Sequence, residues 1–255
     1  MAKLELNSKR KLEISKTEEY FNSIRTNIQF SGSDLKTIVV SSVQPNEGKS
    51  TTSTSLAVSF ANAGFKTLLI DADIRNSVMT GTFVAREKYE GLTSYLTGNV
   101  RLNEVFCETD IENLLVIPSG QMSPNPTSLL QNRYFDQLLK KAREVFDFII
   151  VDSPPIGLVI DAAIIANQCD ASLLVVENGS IKRRFIQKAV EQLTQSGTPF
   201  LGVILNKVDL TKDSYGSYGS YGGYGSYGGY GSYGSYGKER QASRSEVKSK
   251  GFLSR

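Results

Sequence analysis

Short uninterrupted apolar runs alternate along the chain with longer segments whose apolar residues recur at helical spacing. The runs are Ile38-Val39-Val40 within residues 36–42, Thr67–Asp71, Leu114–Ile117, Phe148–Asp152, Ala171–Glu177 and Phe200–Asn206. Each has the length of a strand and no polar alternation, the pattern of a strand covered on both faces. Between them, Leu56, Val58 and Phe60 predict a helix that opens at Lys49-Ser50 and stops near Gly64. Phe21, Ile24 and Ile28 predict an earlier one, with Ser15 and Glu18 as its capping box. Residues 91–106 read as a surface helix. Pro124-Asn125-Pro126 opens another that runs to about Val145, with Leu129, Leu130, Phe135, Leu138 and Leu139 on its apolar face. Residues 161–167 and 182–195 complete the set. Strand and helix in alternation define an α/β protein, a parallel sheet with right-handed crossovers and helices on both faces.

The pattern breaks after Leu210. From residue 215 to 236 tyrosine recurs every third position, at Tyr215, Tyr218, Tyr221, Tyr224, Tyr227, Tyr230, Tyr233 and Tyr236, with only Gly and Ser between. Such a segment cannot build a core and reads as a disordered tail over residues 211–255. From Lys238 onward the tail carries six Lys or Arg against two Glu, so it ends basic. Residues 1–16 are polar and basic as well and read as a segment ahead of a domain spanning 17–210.

Composition removes several chemistries. The chain of 255 residues has no histidine, so any general base is Asp, Glu, Lys or Tyr. Cys107 and Cys169 lack metal or redox spacing and read as buried apolar residues of a reducing compartment. A net charge of +3 gives no argument for nucleic acid. No apolar stretch is long enough to span a membrane, and no secretory signal is visible.

Three stretches carry chemistry. The strand at 36–42 runs into Ser-Val-Gln-Pro-Asn-Glu-Gly-Lys-Ser and then a helix, the layout of a phosphate-binding loop. Backbone N–H groups from Pro45 to Thr51, through Asn46, Glu47, Gly48, Lys49 and Ser50, surround the phosphates of a nucleotide, except that Pro45 has none to give. Lys49, expected to face solvent, supplies charge to the β- and γ-phosphates, and Ser50 a hydroxyl to Mg²⁺. The first glycine of the full pattern is replaced by Val43, and Asn46 stands where a left-handed turn suits Gly or Asn. Asp71 and Asp73 leave the end of a second strand, where α/β sheets bind ligands, with Arg75 close behind. The run Phe148–Asp152 closes on an aspartate and Ser153-Pro154-Pro155, a Walker B pattern.

Together with the tyrosine cluster, these segments resemble the bacterial tyrosine kinases, and among them the cytoplasmic kinases of capsule and exopolysaccharide assembly in Gram-positive bacteria. The resemblance runs from about Thr17 to Tyr236. It implies a P-loop NTPase-like fold and an ATP- and Mg²⁺-dependent autokinase acting on its own tail, in the regulation of polysaccharide synthesis and export. It makes Ser50, Asp71 and Asp152 the metal ligands, and Lys49, Asp71 and Asp73 catalytic, with Asp73 the base for the incoming tyrosine. The eight tail tyrosines become the acceptors. Partitioning ATPases, the wider relatives, carry an extra lysine where this chain has Gln44. The kinases' E-x-x-R-x-x-R helix, which joins protomers in a ring, is matched by Glu19 and Arg25 but has Asn22 at its centre. Implied partners are a membrane adaptor, further copies of the chain and a tyrosine phosphatase, with the kinase in the cytoplasm at the inner face of the membrane. Two other readings stand beside this one. Asn206-Lys207-Val208-Asp209 spells the guanine-reading motif of small G proteins, although Asn206 also suits an adenine contact. Alternatively, the tyrosine-rich tail makes the chain a binding module.

Overall fold

A computed structural model describes residues 1–209. The expected disordered tail and its eight tyrosines lie outside the described residues. Nine strands form one sheet: β1 (Ala2–Leu6), β2 (Thr37–Ser42), β3 (Thr67–Asp71), β4 (Phe83–Ala85), β5 (Cys107–Thr109), β6 (Leu114–Ile117), β7 (Phe148–Asp152), β8 (Ala171–Glu177) and β9 (Phe200–Asn206). Their order is β4-β1-β5-β6-β3-β7-β2-β8-β9. The run from β6 to β9 is parallel throughout, as expected. At the other end β5 meets β6 and β4 meets β1 antiparallel, so the sheet is mixed rather than wholly parallel.

The central strands alternate strictly between two cores. Ile38, Val40, Leu69, Ile150 and Val175 face α1 (Ser8–Ser31) and α2 (Lys49–Asn62). Val39, Leu68, Ile70, Val151 and Leu174 face the other side. There lie α3 (Leu92–Leu96), α4 (Pro126–Leu130), α5 (Arg133–Val145), α6 (Asp161–Ala166) and α7 (Arg183–Gln195). Phe60 of α2 is fully buried and stacks on Phe148 with ring centroids 4.0 Å apart. Burial of such a side chain contributes roughly 1.5–3 kcal/mol.

Four expectations change. The first sixteen residues do not lie ahead of the domain; they supply β1 and the first turns of α1. The alternation of Ala2, Leu4 and Leu6, with both leucines buried, is a period-two strand signal inside a charged stretch. Helix α1 is therefore capped by Asn7, whose side chain accepts from the Arg10 N–H, and not at Ser15. Residues 91–106 hold only the five-residue α3 and a short 3-10 turn at Leu102–Glu104, because Gly98 turns left-handed (φ 79). The long helix expected to run from about 126 to 145 is two, since Asn132 takes the N–H groups of Tyr134 and Phe135 and restarts the helix. Both cysteines are buried, and burial pushes the Cys107 thiol up to about 11, which leaves it unreactive.

Candidate active site

The parallel strands deliver their carboxyl ends to one edge of the sheet. Glu47, buried in the loop after β2, turns its carboxylate inward and accepts from the N–H groups of Val43 and Gln44 at 2.7 and 2.8 Å. That closes the loop without the first glycine of the pattern. Val43 has no need of a left-handed backbone and packs into the core instead. Asn46 does adopt the left-handed conformation expected of it (φ 66), as does Gly48 (φ 91). The first helical bond of α2 runs from Thr52 N–H to the Gly48 carbonyl at 2.9 Å. Lys49, Ser50 and Thr51 thus open the helix with N–H groups that have no acceptor within it.

The far side of the loop is braced from β9. Asn206 donates its amide to the Glu47 carbonyl at 2.9 Å, and Lys207 donates to the Asn46 carbonyl at 2.7 Å while pairing with Glu177. A Cβ on Gly48 would stand 2.0 Å from the Asn206 amide nitrogen. The segment after β7 packs against the loop as well: a Cβ on Gly157 would meet the Val43 carbonyl at 2.2 Å.

Lys49 is the main correction. It does not face solvent in the loop but is the first residue of α2, only 7% exposed. Its ammonium lies 3.1 Å from both carboxylate oxygens of Asp152 and 3.5 Å from Asp73. Asp71 and Asp152 are register partners at the ends of β3 and β7. Asp152 also accepts from Ser53, one turn into α2. Asp71 accepts from the Ser77 hydroxyl and from the Asp73 N–H. Ser50 Oγ stands 3.2 Å from the Lys49 ammonium. Four of the residues singled out in the sequence, Lys49, Asp71, Asp73 and Asp152, therefore share one buried cluster, with Ser50 beside them.

Burial governs its electrostatics. It pushes the Asp71 carboxyl up to about 7, an effect the Asp152 charge reinforces and the Ser77 hydroxyl and Lys49 oppose. Asp73 is raised too, again by burial, against the pull of Lys49 and of the Asn76 N–H. Burial would lower Lys49, but the charges of Asp152 and Asp73 outweigh it and raise the amine. The cluster thus requires a cation, and the ammonium fills that place. The donor set suits a metal ion and a polyphosphate: carboxylates and a hydroxyl beside a left-handed turn and a helix N-terminus.

Arg75 does not meet Asp73. Its guanidinium binds Asp161, at the start of α6, at 2.5 and 3.1 Å, and Thr127 of α4 at 2.8 Å. Arg25 bonds the Ser59 carbonyl of α2 at 2.8 Å and the side chain of Asn22 at 3.1 Å, within its own chain, whereas Glu19 is exposed. Sequence reasoning missed the carboxylate role of Glu47, the Ser53 and Ser77 hydroxyls, and the Lys207–Glu177 brace. Of these only Ser53 had a signal, since it stands four residues after Lys49 on one helix face.

Loop, helix and acidic strand ends define a P-loop nucleotide-binding protein. Comparison with known proteins narrows the class. A family described as an AAA domain matches residues 35–196. Tyrosine-protein kinase CpsD of Streptococcus agalactiae serotype III is 58% identical over 216 residues, covering 85% of this chain and 93% of the relative. Tyrosine-protein kinase YwqD of Bacillus subtilis is 39% identical over 79% of this chain and 86% of its own. Among solved structures, the kinase domain of Escherichia coli tyrosine kinase ETK superposes with a TM-score of 0.73 at 32% identity, covering 79% of this chain and 80% of that one. The septum site-determining protein MinD of Pyrococcus horikoshii, at 24% identity and a TM-score of 0.56, shares the fold. The chain belongs to the bacterial tyrosine-protein kinases and is a protein-tyrosine kinase.

One prediction follows from the loop's packing. Gly48→Ala should weaken nucleotide binding at least roughly tenfold and lower stability by about 1–3 kcal/mol, through left-handed strain and the clash with Asn206. A nucleotide titration and a thermal melt check it. Affinity within a factor of about two of wild type would show that the loop tolerates the methyl.

Proposed function

We propose that this kinase uses ATP with Mg²⁺ and phosphorylates its own tyrosine cluster, Tyr215 to Tyr236, in the control of capsular or extracellular polysaccharide assembly. The observation that carries the reading is the Lys49 ammonium held among buried Asp71, Asp73 and Asp152 at the head of a phosphate-type loop. Lys49 and the loop from Pro45 to Thr51 bind the phosphates. Among the described residues no three acidic, Cys or His side chains close on one point as a metal cage. Mg²⁺ does not need one, since it takes one or two carboxylates plus waters and phosphate oxygens. Ser50, Asp71 and Asp152 would hold it, and it would neutralise charge on the transferring phosphoryl group.

Asp73 is the candidate base. A free tyrosine has a pKa near 10 and attacks poorly as the neutral phenol. A carboxylate raised by burial is better matched to taking its proton than an ordinary one. In the step, the phenolic oxygen bonds to the γ-phosphorus, its proton passes to Asp73, and the bond from the γ-phosphorus to the bridging oxygen breaks to release ADP. Asn206 braces the loop through one end of its amide, and its remaining oxygen is assigned to the adenine. The Lys207 ammonium and one hydrogen of the Asn206 amide are engaged by loop carbonyls.

No helix among the described residues is long and apolar enough to cross a membrane. A membrane adaptor, presenting the kinase to the cytoplasmic face, suits that. A ring of copies joined through Glu19 draws on an exposed residue, while Arg25 would have to leave or share its bond to Ser59. A dedicated tyrosine phosphatase would reset the tail.

Incubation with Mg-ATP followed by mass spectrometry should place phosphate on the tail tyrosines. Asp73→Asn should slow this at least roughly a hundredfold. Its nucleotide affinity should stay within about threefold of wild type if Asp73 acts on the tyrosine rather than the metal. A wild-type rate in that variant would remove Asp73 from the base role.

A further inference from the structure

We propose that the start of α7 is a docking surface for phosphotyrosine, and that its occupant is the phosphorylated Tyr-Gly-Ser segment of this chain. The proposal rests on the tail-phosphorylation reading above. Lys182, Arg183, Arg184 and Lys188 place four exposed cations within seven residues. Among the described residues none of the four forms an ion pair, although Glu191 lies three positions beyond Lys188 on the same helix. Other exposed cations, such as Lys9, Lys88 and Arg133, are likewise outside ion pairs. Each of those stands singly as an unpaired cation, whereas these four are clustered on one helix start.

Their position opposes the helix they sit on. α7 has no acidic residue in its first turn and no side-chain cap. Arg183 and Arg184 in that turn face the positive end of the helix dipole, unfavourable by about 0.3–1 kcal/mol each, and Arg184 and Lys188, four apart on the helix, repel one another. Local choices that work against the fold tend to serve function. Beside them Phe185 is 43% exposed, with the Arg184 guanidinium over its ring at 4.8 Å from the centroid. Guanidinium groups bind a phosphate bidentately, and an exposed aromatic offers a face for the phenyl ring that bears it.

Chain connectivity and charge select the occupant. Glu177 at the end of β8 is in register with Asn206 at the end of β9. Helix α7 begins six residues after Glu177, and Tyr215 follows Asn206 by nine. Nine residues reach at most about 30–32 Å, which sets a short tether between the strand ends and the first tyrosines. Residues 214–237 carry no charge before modification. Each phosphate adds about −1.5 to −2, so attraction to the cation row arises only after transfer. Successive tyrosines stand up to about 10 Å apart in an extended chain. Lys182 and Lys188 are separated by about 9 Å along the helix. An anionic membrane is the other polyanion that a basic and aromatic surface suits, and the test separates it.

Full-length dephosphorylated protein is titrated with two labelled peptides spanning residues 215–223, one unmodified and one phosphorylated on all three tyrosines. The phosphopeptide should bind at least roughly tenfold more tightly, and about 0.5 M salt should erase the difference. Lys182→Gln/Arg183→Gln/Arg184→Gln should lose the preference and melt at no lower a temperature than wild type. Phosphatidylglycerol vesicles should bind wild type and variant alike. Equal binding of the two peptides to wild type overturns the proposal. So does an undiminished preference in the variant, or loss of vesicle binding alone. Because the peptide arrives already phosphorylated, a negative result is distinct from failure of autophosphorylation, which mass spectrometry of the tail reports.

Discussion

Lys49→Met should abolish tyrosine phosphorylation and also destabilise the protein. Loss of activity of at least roughly a thousandfold is expected, because no other cation among the described residues lies in the cluster to meet the phosphates. The effect on stability comes from burial. Lys49 is 7% exposed, and Asp71, Asp73 and Asp152 are at most 7% exposed around it. Removing one partner of a buried ion pair leaves uncompensated charge, worth about 3–5 kcal/mol. For a domain of this size that is a fall in Tm of about 6–20 °C. The deficit should depend on pH. A carboxyl whose folded pKa lies above its unfolded value contributes stability fully below the unfolded value and loses it as pH rises through the folded one. Asp71 and Asp73 are both raised already, and losing Lys49 raises them further. The variant should therefore trail wild type little near pH 5 and most above pH 8. Melting curves at the two pH values test this; a variant within about 2 °C of wild type at pH 8 would mean that the cluster is not desolvated as drawn. Inactive Lys49 variants should accordingly be compared with wild type only after their folding is checked.

Much of the site was legible because its chemistry is local in sequence. Gly48-Lys49-Ser50 follows a strand and opens a helix, and Asp71, Asp73 and Asp152 each leave an apolar run. Those placements are fixed by where parallel strands end. What was not legible depended on which distant groups meet. Lys49 was read as solvent-facing because a loop lysine usually is, yet β3 and β7 are neighbours and bring two carboxyl ends under it. Arg75 stands two residues from Asp73 in sequence, but α6 offers it the fully buried Asp161 with Thr127 alongside. The Glu47 carboxylate looked like one more loop residue; its job of closing the turn in place of a glycine shows only in three dimensions. At the fold level, the strand β1 hid in a charged stretch, and Asn132 split a helix whose apolar face continues across the break. Both misses share a cause: charge and periodicity dominate a reading by eye, whereas a single cap or a three-residue alternation decides the backbone.

Asp71→Asn should give a protein that is more stable than wild type at pH 8 and at least roughly a hundredfold slower as a kinase. The carboxyl is 1% exposed and raised to about 7, against an ordinary value of 3.8. Burial is the chief cause, with the Asp152 charge adding to it. The sign follows from proton counts. Between pH 4 and 7 the folded state keeps a proton on Asp71 that the unfolded state has released, so stability declines as pH rises through that interval. Asparagine removes this titration. Its oxygen can still accept from the Ser77 hydroxyl or the Asp73 N–H, and its amide can donate toward Asp152, the register partner across β7. At pH 5, where wild-type Asp71 is protonated, the two proteins should melt nearly together. By pH 8 the variant should lead by a few kcal/mol at most, a shift of several degrees, since each unit of pKa displacement is about 1.4 kcal/mol. Melting of both proteins across pH 5 to 8 without nucleotide is the measurement. A variant whose advantage does not grow with pH would show that Asp71 is ionised at no great disadvantage, and that the cluster's need for a cation arises elsewhere. If Asp71 holds the metal as proposed, saturating Mg-ATP should reverse the order, because the cation would meet ionised Asp71 in wild type and no charge in the variant.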